Sequence, residues 1–271
     1  MSKSVKKFIL LLFLFTSSYS IFAQDSTNQI RKSTSKRDEK RQRNNAISKQ
    51  QEEGVLSYNK QNAFGVQLRT NGYGFFFEKG KMRSPRFTNT YSAEITEIKH
   101  PKEAKSGNTE GIFANTFIYG KINNFYQLKL GYGQQYIFGQ KGNKNGIAVM
   151  GLVQGGLALG FLKPYILRID NQNTEEEIKY SDDNDAFLDR SIIIGSAGMF
   201  KGWDEVKLKP GAYVKTALRF DFGQHNESIS AVEIGFSLDY YAQKIPILAI
   251  IDNKQQVFYQ GHIAFVFGNR K

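Results

Sequence analysis

The sequence has no cysteine, few prolines and no hydrophobic run long enough to form a membrane-spanning helix. The absence of cysteine from all 271 residues excludes disulfides, thiolate metal ligands, a thiol nucleophile and a lipid-modified N-terminal cysteine. Hydrophobic residues make up 40% of the chain, and the longest uninterrupted apolar run, Phe8 to Phe15, covers about eight positions. A membrane-spanning helix needs roughly twenty. The composition therefore excludes a bundle of membrane helices.

Aromatic residues and glycine are abundant instead. The chain contains 22 Phe, 14 Tyr and 25 Gly against only 5 Pro. Aromatic side chains favour strands and form girdles at the two surfaces of membrane barrels, whereas proline interrupts a sheet. The composition therefore indicates β-structure rather than helices.

The first 23 residues have the composition of a secretory signal peptide. Lys3, Lys6 and Lys7 form a basic start, residues 8–15 form an apolar core, and a plausible cleavage position follows Ala23. We predict that residues 1–23 are a cleaved signal peptide. The alternative, a retained membrane anchor, is disfavoured because the apolar core is too short to span a bilayer.

Residues 24–61 form a basic segment with hardly any large apolar side chain. Such a segment cannot bury enough surface to become ordered by itself, so we predict a periplasmic tail that is mostly disordered or partly helical. One interpretation is an arm that binds nucleic acid, anionic lipid or peptidoglycan, and the other is a solvated tether. The tether is favoured, because no aromatic side chains interleave the charges as a stacking platform requires.

The net charge of the chain is +12, of which the signal peptide contributes about +3 and the tail about +4. The remaining residues are only mildly basic. Nucleic acid is therefore not a predicted partner of the part of the chain that follows the tail.

The clearest strand pattern lies in residues 212–240, which predict a hairpin. On both arms, apolar and polar residues alternate with the period of two that is typical of a strand. Each arm has about ten residues, the length of a tilted strand that crosses a bilayer. The polar stretch 223–228 has the composition of a turn. The hairpin therefore predicts strands with one face toward lipid and the other toward a barrel interior.

Similar alternating segments recur from residue 62 to the end of the chain. Turn signals separate them into strands, among which the fourth, residues 112–120, has an ambiguous facing and the seventh, residues 164–169, is weaker than the others. We predict an all-β fold, a single transmembrane, antiparallel, up-and-down β-barrel of about 10 strands (range 8–12) formed by residues 62–271.

The lengths of the connections alternate along this series. Connections that follow even-numbered strands are mostly short, such as residues 122–124 and 161–163. Those that follow odd-numbered strands are mostly long, such as residues 99–111, 139–146 and 170–209. Short periplasmic turns and long external loops alternate in this way in outer-membrane barrels. We therefore predict that residues 170–209 form a long extracellular loop.

The two halves of that loop differ in composition. The first half is acidic and is expected to be mobile. The second half carries Ile192, Ile193, Ile194 and Trp203, which are too apolar to remain in water. It is expected to fold over the barrel mouth or to form an extra pair of short strands.

The signal peptide, the alternation of connection lengths, the aromatic pattern and the last strand, with its run Ile263-Ala-Phe-Val-Phe267, resemble the small outer-membrane β-barrel proteins of Gram-negative bacteria. The resemblance covers residues 62–271 and concerns architecture. It implies that the protein is located in the outer membrane and contacts outer-membrane lipid.

Alternation assigns two sets of residues to the faces of the barrel. The set predicted to face lipid is Leu128, Leu130, Val214, Leu218, Val232, Ile234, Phe236 and Leu238. The set predicted to form a charged network in the lumen is Arg69, Glu94, Lys129, Lys215, Arg219, Asp221, Glu233 and Asp239. The second set has four cations and four anions, which in a barrel of this size can pair across the lumen and close it.

No catalytic, cofactor or metal site is predicted. His262 with Ser237 or Glu233 could form part of a hydrolase site, but no spacing requires it, and an inward histidine bonded to its neighbours is favoured. The acidic run Ser181 to Asp185 lacks the full pattern of a calcium loop. The glycine clusters match neither a phosphate loop nor a dinucleotide fingerprint.

The predicted function is that of a non-enzymatic outer-membrane barrel with a structural, assembly or secretion-accessory role. The external loops would be its recognition surface. Two alternatives remain open, a narrow channel for small solutes and an envelope-lipid-modifying enzyme that uses His262. The expected partners are outer-membrane lipid and other envelope proteins that meet the external loops or the basic tail.

Overall fold

The computed structural model describes residues 40–42, 56, 58–106, 116–142, 145–172, 174–249 and 255–271. The chain divides into two compact units, residues 1–44 and residues 45–271. The first unit is described only at residues 40–42, which are helical. The predicted signal peptide and nearly all of the predicted tail lie outside the described residues. The fold reported below is that of the second unit.

Thirteen strands and one short helix follow each other along the described part of the second unit. They are β1 Lys60–Arg69, β2 Gly72–Met82, β3 Phe87–Ile98, β4 Lys105–Ser106, β5 Phe117–Ile118, β6 Asn123–Gly139, β7 Ala148–Pro164, β8 Ile166–Asn171, β9 Thr174–Lys179, α1 Asn184–Leu188, β10 Ile193–Ser196, β11 Lys207–Asp221, β12 Ser228–Ile245 and β13 Gln255–Arg270. Among the described residues, no helix has the length and apolarity required to cross a membrane.

Eight of the strands close an antiparallel barrel in the order β1-β13-β12-β11-β7-β6-β3-β2. The predicted hairpin of residues 212–240 forms its β11–β12 pair, in which Lys215 lies opposite Ser237 and Arg219 lies opposite Glu233. Paired residues share one face of a sheet, so the inward faces of neighbouring strands match all around the barrel. Along β1 the buried and exposed residues alternate without a break.

The barrel has eight strands rather than about 10, within the predicted range, because two predicted strands lie elsewhere. Residues 166–171 form β8, which pairs with β9 and β10 in a separate sheet. Of residues 112–120, only 116–120 are described, and 117–118 form β5, which pairs with β4. Both segments are apolar because they are buried in a structure outside the barrel, where Leu167 and Phe117 pack together. An apolar pattern reports burial, not the sheet to which a strand belongs.

The smaller number of strands changes the side on which some connections lie. Residues 122–124 and 161–163 were predicted to be short turns, but Asn123 pairs with Pro164 at the end of the barrel that carries the long connections. The connection 140–147, which corresponds to the long external loop predicted at residues 139–146, lies at the opposite end, with the short connections. The first of the two predicted strands that lie outside the barrel, residues 112–120, reverses the predicted sides of the connections that follow it. The second, residues 164–169, restores them after β7. Residues 165–206 therefore lie on the side predicted for the long loop.

The barrel therefore has a short-connection end and a long-connection end. The short-connection end has the connections 83–86, 140–147 and 222–227. The long-connection end has the turn 70–71 and the connections 99–122, 165–206 and 246–254. The turn depends on Gly72, whose φ is +154° and where an added Cβ would lie 1.9 Å from the carbonyl oxygen of Glu97.

Each end of the barrel is filled by buried apolar side chains. The mouth cluster, at the long-connection end, consists of Ile98, Phe125, Ala158, Leu162, Tyr213, Tyr241, Ile245, Ile247 and Phe258. The base cluster, at the short-connection end, consists of Leu56, Tyr58, Ile137, Ala148 and Met150. Leu56 and Tyr58 belong to the predicted tail of residues 24–61, so the packed part of the chain begins before residue 62, and β1 begins at Lys60.

Candidate functional site: the barrel interior and the cap

A chain of buried ion pairs crosses the barrel between the two apolar clusters. The guanidinium of Arg219, on β11, lies between two carboxylates. It donates to Glu78 on β2 from Nη1 and Nη2, each at 3.1 Å, and to Glu233 on β12 from Nε at 3.0 Å and Nη2 at 2.7 Å. Strands β2 and β11 lie on opposite sides of the barrel. This guanidinium therefore connects two walls through the lumen.

The ion pairs continue from Glu233 toward the mouth cluster. Lys215 Nζ lies 3.0 Å from Glu233 Oε1 and 3.6 Å from Glu94 Oε2. Glu94 Oε1 in turn lies 3.2 Å from Arg69 Nη1 and 3.7 Å from Lys129 Nζ. Each of these side chains has 5% or less of its surface exposed. Buried charges require such partners, because an isolated ion would lose its hydration without compensation.

The last carboxylate of the series, Asp239 on β12, lies next to the mouth cluster. Lys129 Nζ is 2.7 Å from its Oδ1, and Gln260 Nε2 donates to its Oδ2 at 2.8 Å. Arg69 Nη2 also lies 4.0 Å from Asp239 Oδ2, so that Arg69 and Lys129 both connect Glu94 with Asp239. Four anions and four cations are therefore linked along the interior. We call this set the ion-pair chain; it consists of Glu78, Arg219, Glu233, Lys215, Glu94, Arg69, Lys129 and Asp239.

Seven of the eight residues predicted for the lumen network belong to the ion-pair chain, and Asp221 does not. Its carboxylate instead pairs with Arg270 and, at 3.4 Å, with Lys141 near the base cluster. Burial lowers the pKa of the Lys141 ammonium, which lies in a connection outside the strands. The eighth member of the ion-pair chain is Glu78. The sequence does not predict this position for Glu78, because three consecutive phenylalanines, 75–77, obscure the alternation that places Phe76 and Glu78 on the inward face.

The residues predicted to face lipid lie on the outward face of the barrel. Val214, Leu218, Ile234, Phe236 and Leu130 are exposed by 46–53%. Leu128, Val232 and Leu238 are half-buried between their neighbours on the same face. The outward face is therefore apolar at the positions where the inward face carries charge.

The long connection 165–206 is a folded structure rather than an irregular loop. Strands β8, β9 and β10 form a three-stranded sheet, and α1 follows β9. We call residues 116–122 and 165–206 the cap. Its buried core consists of Phe117, Leu167, Ile169, Phe187 and Ile193. The acidic first half, predicted to be mobile, contains β9, which pairs with β8, and α1; β10 of the second half pairs with β8 on its other edge.

The acidic run Ser181 to Asp185 has a structural role in the cap. The Oδ1 atom of Asp183 accepts the backbone N–H groups of Asp185 and Ala186, each at 3.0 Å, and so caps α1. The Oδ2 atom of Asp182 accepts the backbone N–H of Lys179 at 3.3 Å. Among the described residues, no group of three or more metal-binding side chains is close enough to hold an ion.

The three histidines are distributed over the molecule. His262 Nε2 lies 3.1 Å from Glu233 Oε1 inside the barrel. Ser237, considered as its partner in a hydrolase site, accepts a hydrogen bond from Arg69 Nη2 at 2.7 Å. His100 lies in the connection 99–122, where burial lowers its pKa, and His225 lies in the connection 222–227. The geometry therefore pairs His262 with a carboxylate and Ser237 with a cation.

No family model and no curated protein matches the chain. Its fold is similar to that of three solved barrels. The N-terminal β-barrel domain of Pseudomonas aeruginosa OprF has 8% identity and a TM-score of 0.36, with 78% of this chain and 98% of that chain covered. Neisserial surface protein A has 9% identity and a TM-score of 0.36, with 78% and 96% covered. Ail, the attachment invasion locus protein of Yersinia pestis, has 9% identity and a TM-score of 0.36, with 79% and 100% covered.

At the level of architecture, the chain resembles the small outer-membrane β-barrel proteins. The identities are so low that this likeness concerns the fold alone. A shared fold does not carry a shared function.

Proposed function

We propose that the protein is a non-enzymatic β-barrel of the Gram-negative outer membrane, with a structural, assembly or secretion-accessory role. The observation that carries the proposal is the outward face of the barrel. Every barrel strand exposes large apolar side chains there, including Leu68 at 64%, Ile95 at 60%, Leu157 at 64% and Ile263 at 51% exposure. A continuous apolar belt of this kind is a liability in water. In a bilayer it meets lipid, while the closed barrel pairs the backbone of every strand.

The cap is the proposed recognition surface. Outer-membrane barrels have their short turns in the periplasm and their long connections outside, which supports an extracellular position for the cap. Its strand β9 exposes Glu175, Glu176 and Glu177 to solvent. Other envelope proteins that meet this surface or the basic tail are the proposed partners, in addition to the surrounding lipid.

A closed interior supports a structural role over the two alternatives. The ion-pair chain crosses the lumen, and apolar clusters fill both ends, so we expect no steady ion conductance in a planar bilayer. The separate engagement of Ser237 and His262 by Arg69 and Glu233 gives no support to hydrolysis by this pair.

Fractionation and surface labelling test the proposal. The protein should partition with the outer membrane and migrate differently on gels before and after heating, because a closed barrel resists detergent. An epitope tag inserted after Asp183, in the cap, should be detected on intact cells. The control tag, inserted after Gln224 in the short connection 222–227, should be detected only after the membrane is permeabilised. Recovery in the soluble periplasm without detergent would exclude the membrane assignment, and the reverse labelling pattern would exclude the orientation.

A further inference from the structure

The turn between β10 and β11 leaves large apolar side chains in solvent. Phe200 is 90% exposed, Met199 is 67% exposed and Trp203 is 49% exposed. All three lie within five consecutive residues, at the edge of the cap. Single exposed apolar residues are common on protein surfaces, but a local group of this size marks a surface that contacts another apolar phase.

Contacts with the outward face of the barrel hold this turn in place. The ring of Trp203 stacks on that of Tyr126, with centroids 5.5 Å apart and an interplanar angle of 20°. Tyr126 lies on β6 between the inward residues Phe125 and Gln127, so its ring is directed outward. Lys163, on β7, donates from Nζ to the carbonyl oxygen of Met199. The turn is therefore attached to the side of the barrel and not to its lumen.

Further interactions fix the shape of the turn. The indole Nε1 of Trp203 donates to the carbonyl oxygen of Met199 at 3.2 Å, and Lys163 Nζ lies 5.3 Å from the centroid of the Trp203 ring. Gly198 and Gly202 have φ values of +101° and +80°, which favour glycine. An added Cβ at Gly202 would lie 3.2 Å from the carbonyl oxygen of Pro164, at the end of β7. The backbone is thus ordered, although the side chain of Phe200 has almost no protein contact.

The exposed group continues the apolar outward face of the barrel. Tyr126 is paired with Phe161 of β7, and Phe161 is paired with Leu208 of β11, which is 55% exposed. These residues form a row at the long-connection end, directly beside the turn. Aromatic side chains, and tryptophan in particular, are enriched at the depth where a bilayer meets water. The position of the row therefore favours lipid as the phase that the turn contacts.

We propose that residues 198–204 form a membrane-interface anchor. Phe200 and Met199 enter the surface of the outer leaflet, Trp203 lies at the interface, and the anchor holds the cap against the lipid beside the barrel. The inference rests on the proposed function, because it requires that the barrel spans a membrane. It adds that the cap itself contacts the leaflet.

The sequence allows a direct test, because Trp203 is the only tryptophan in the chain. The full chain is reconstituted into phosphatidylcholine vesicles that contain lipids brominated either near the headgroup or near the end of the acyl chain. Trp203 fluorescence should be quenched most strongly by the shallow label and only weakly by aqueous iodide. Strong quenching by iodide together with no effect of either brominated lipid would overturn the anchor.

Two variants separate insertion from simple proximity. Phe200→Ser removes a side chain that is almost fully exposed, so the fold should remain intact. It should shift the Trp203 emission to longer wavelength and reduce the quenching by shallow brominated lipid. The control, Asp204→Ser, changes an exposed polar residue in the same turn and should leave both signals unchanged. Identical quenching of the native chain and the Phe200→Ser variant would also overturn the proposal.

A third variant distinguishes failure of the anchor from failure of the barrel assignment. Because the chain has no cysteine, Ile234→Cys provides a single labelling position on the outward face. A fluorophore there should be quenched by the deep brominated lipid. If this probe is quenched and Trp203 is not, the barrel spans the bilayer and only the anchor is wrong. If the Ile234→Cys probe is not quenched either, the membrane assignment fails and the anchor fails with it.

Discussion

Ion pairs occur both in the barrel interior and in the cap, but their surroundings differ. In the barrel, the side chains of Arg219 and Glu78 are each 2% exposed. In the cap, those of Arg168 and Glu175 are 29% and 63% exposed. A surface ion pair contributes little, because water screens both charges whether or not they meet. A buried ion depends on its partner, since no water replaces a partner that is lost.

Charged side chains have different roles in the barrel interior and in the cap. The buried charges of the barrel lie on different strands, so each contact is satisfied only when the strands have the correct neighbours and register. A shift by one residue would direct these charges to the outward face and the apolar residues into the lumen. We infer that the ion-pair chain specifies the closed barrel, whereas the exposed charges of the cap contribute little to stability.

The largest effect is expected from Arg219→Met. Methionine replaces the apolar part of the arginine side chain but lacks the guanidinium, so the buried carboxylates of Glu78 and Glu233 lose their main cation. Removal of one partner from a buried ion pair costs about 3–5 kcal/mol. The free energy of unfolding, measured by guanidinium titration of the protein in vesicles, should fall by this amount. A loss below about 1 kcal/mol, the range of surface pairs, would show that the lumen is hydrated and would remove the distinction between the two regions.

The second largest loss of stability is expected from a charge introduced on the outward face, where it would have no partner. Val66→Lys places an ammonium on the outward face of β1, which is proposed to meet lipid, at a position that is 43% exposed. A lysine near the bilayer midplane costs about 2–4 kcal/mol, and one near the interface costs about 0–1 kcal/mol. Asn62→Lys, on the same face of the same strand, is the control. Because Lys79 lies opposite Asn62, repulsion between the two lysines can only reduce the expected difference between the variants. The two variants should differ by unfolding titration in vesicles, because Val66 lies farther from the nearer end of β1 than Asn62 does, and equal losses would contradict a bilayer around the middle of the barrel.

A smaller effect is expected where a glycine makes room for an aromatic ring inside the barrel. A Cβ added at Gly131 would lie 2.0 Å from the hydroxyl oxygen of Tyr213. Gly131→Ala should therefore displace the ring, at a cost of about 1–3 kcal/mol for an overpacked core. In the background of Tyr213→Leu, which shortens the side chain, the same substitution should cost less. A double-mutant cycle measures the difference, and additive losses would mean that the ring is not the cause.

How much of this structure the sequence predicts depends on how local the signal is. The β11–β12 hairpin could be predicted because its apolar and polar residues alternate over both arms, and one face determines the other. The same signal fails at residues 75–77, where Phe76 lies inside and its neighbours lie outside. Only the pairing of β2 with β1 and β3 shows that Glu78 points inward. One of the two carboxylate partners of Arg219, Glu78, is 141 positions away, and no local pattern contains that contact.

The cap shows a second feature that the sequence does not predict, namely the partners of a buried strand. Ile166 to Ile169 has the composition of a buried strand, and it is one, but its partners are β9 and β10 rather than β7 and β11. Hydrophobicity indicates that the segment is buried and does not indicate against what. The acidic stretch that follows suggests a mobile loop by composition. It is ordered because Ile178 packs onto the cap core while its glutamates face water.

The smallest effect should come from the cap, and it completes the comparison with Arg219. Arg168→Gln removes the charge of an exposed pair whose closest contact, Arg168 Nη1 to Glu175 Oε2, is 3.5 Å. Exposed pairs contribute about 0–1 kcal/mol, and in about 1 M salt the Debye length falls to about 3 Å, so that even charges this close are screened. The free energy of unfolding should therefore change by less than about 1 kcal/mol, and the difference between the variant and the native protein should vanish in high salt. The loss caused by Arg219→Met should persist in the same salt, because water and ions do not reach that pair. If both losses disappear in high salt, the interior charges are accessible to solvent, and the barrel is more open than its packed lumen indicates.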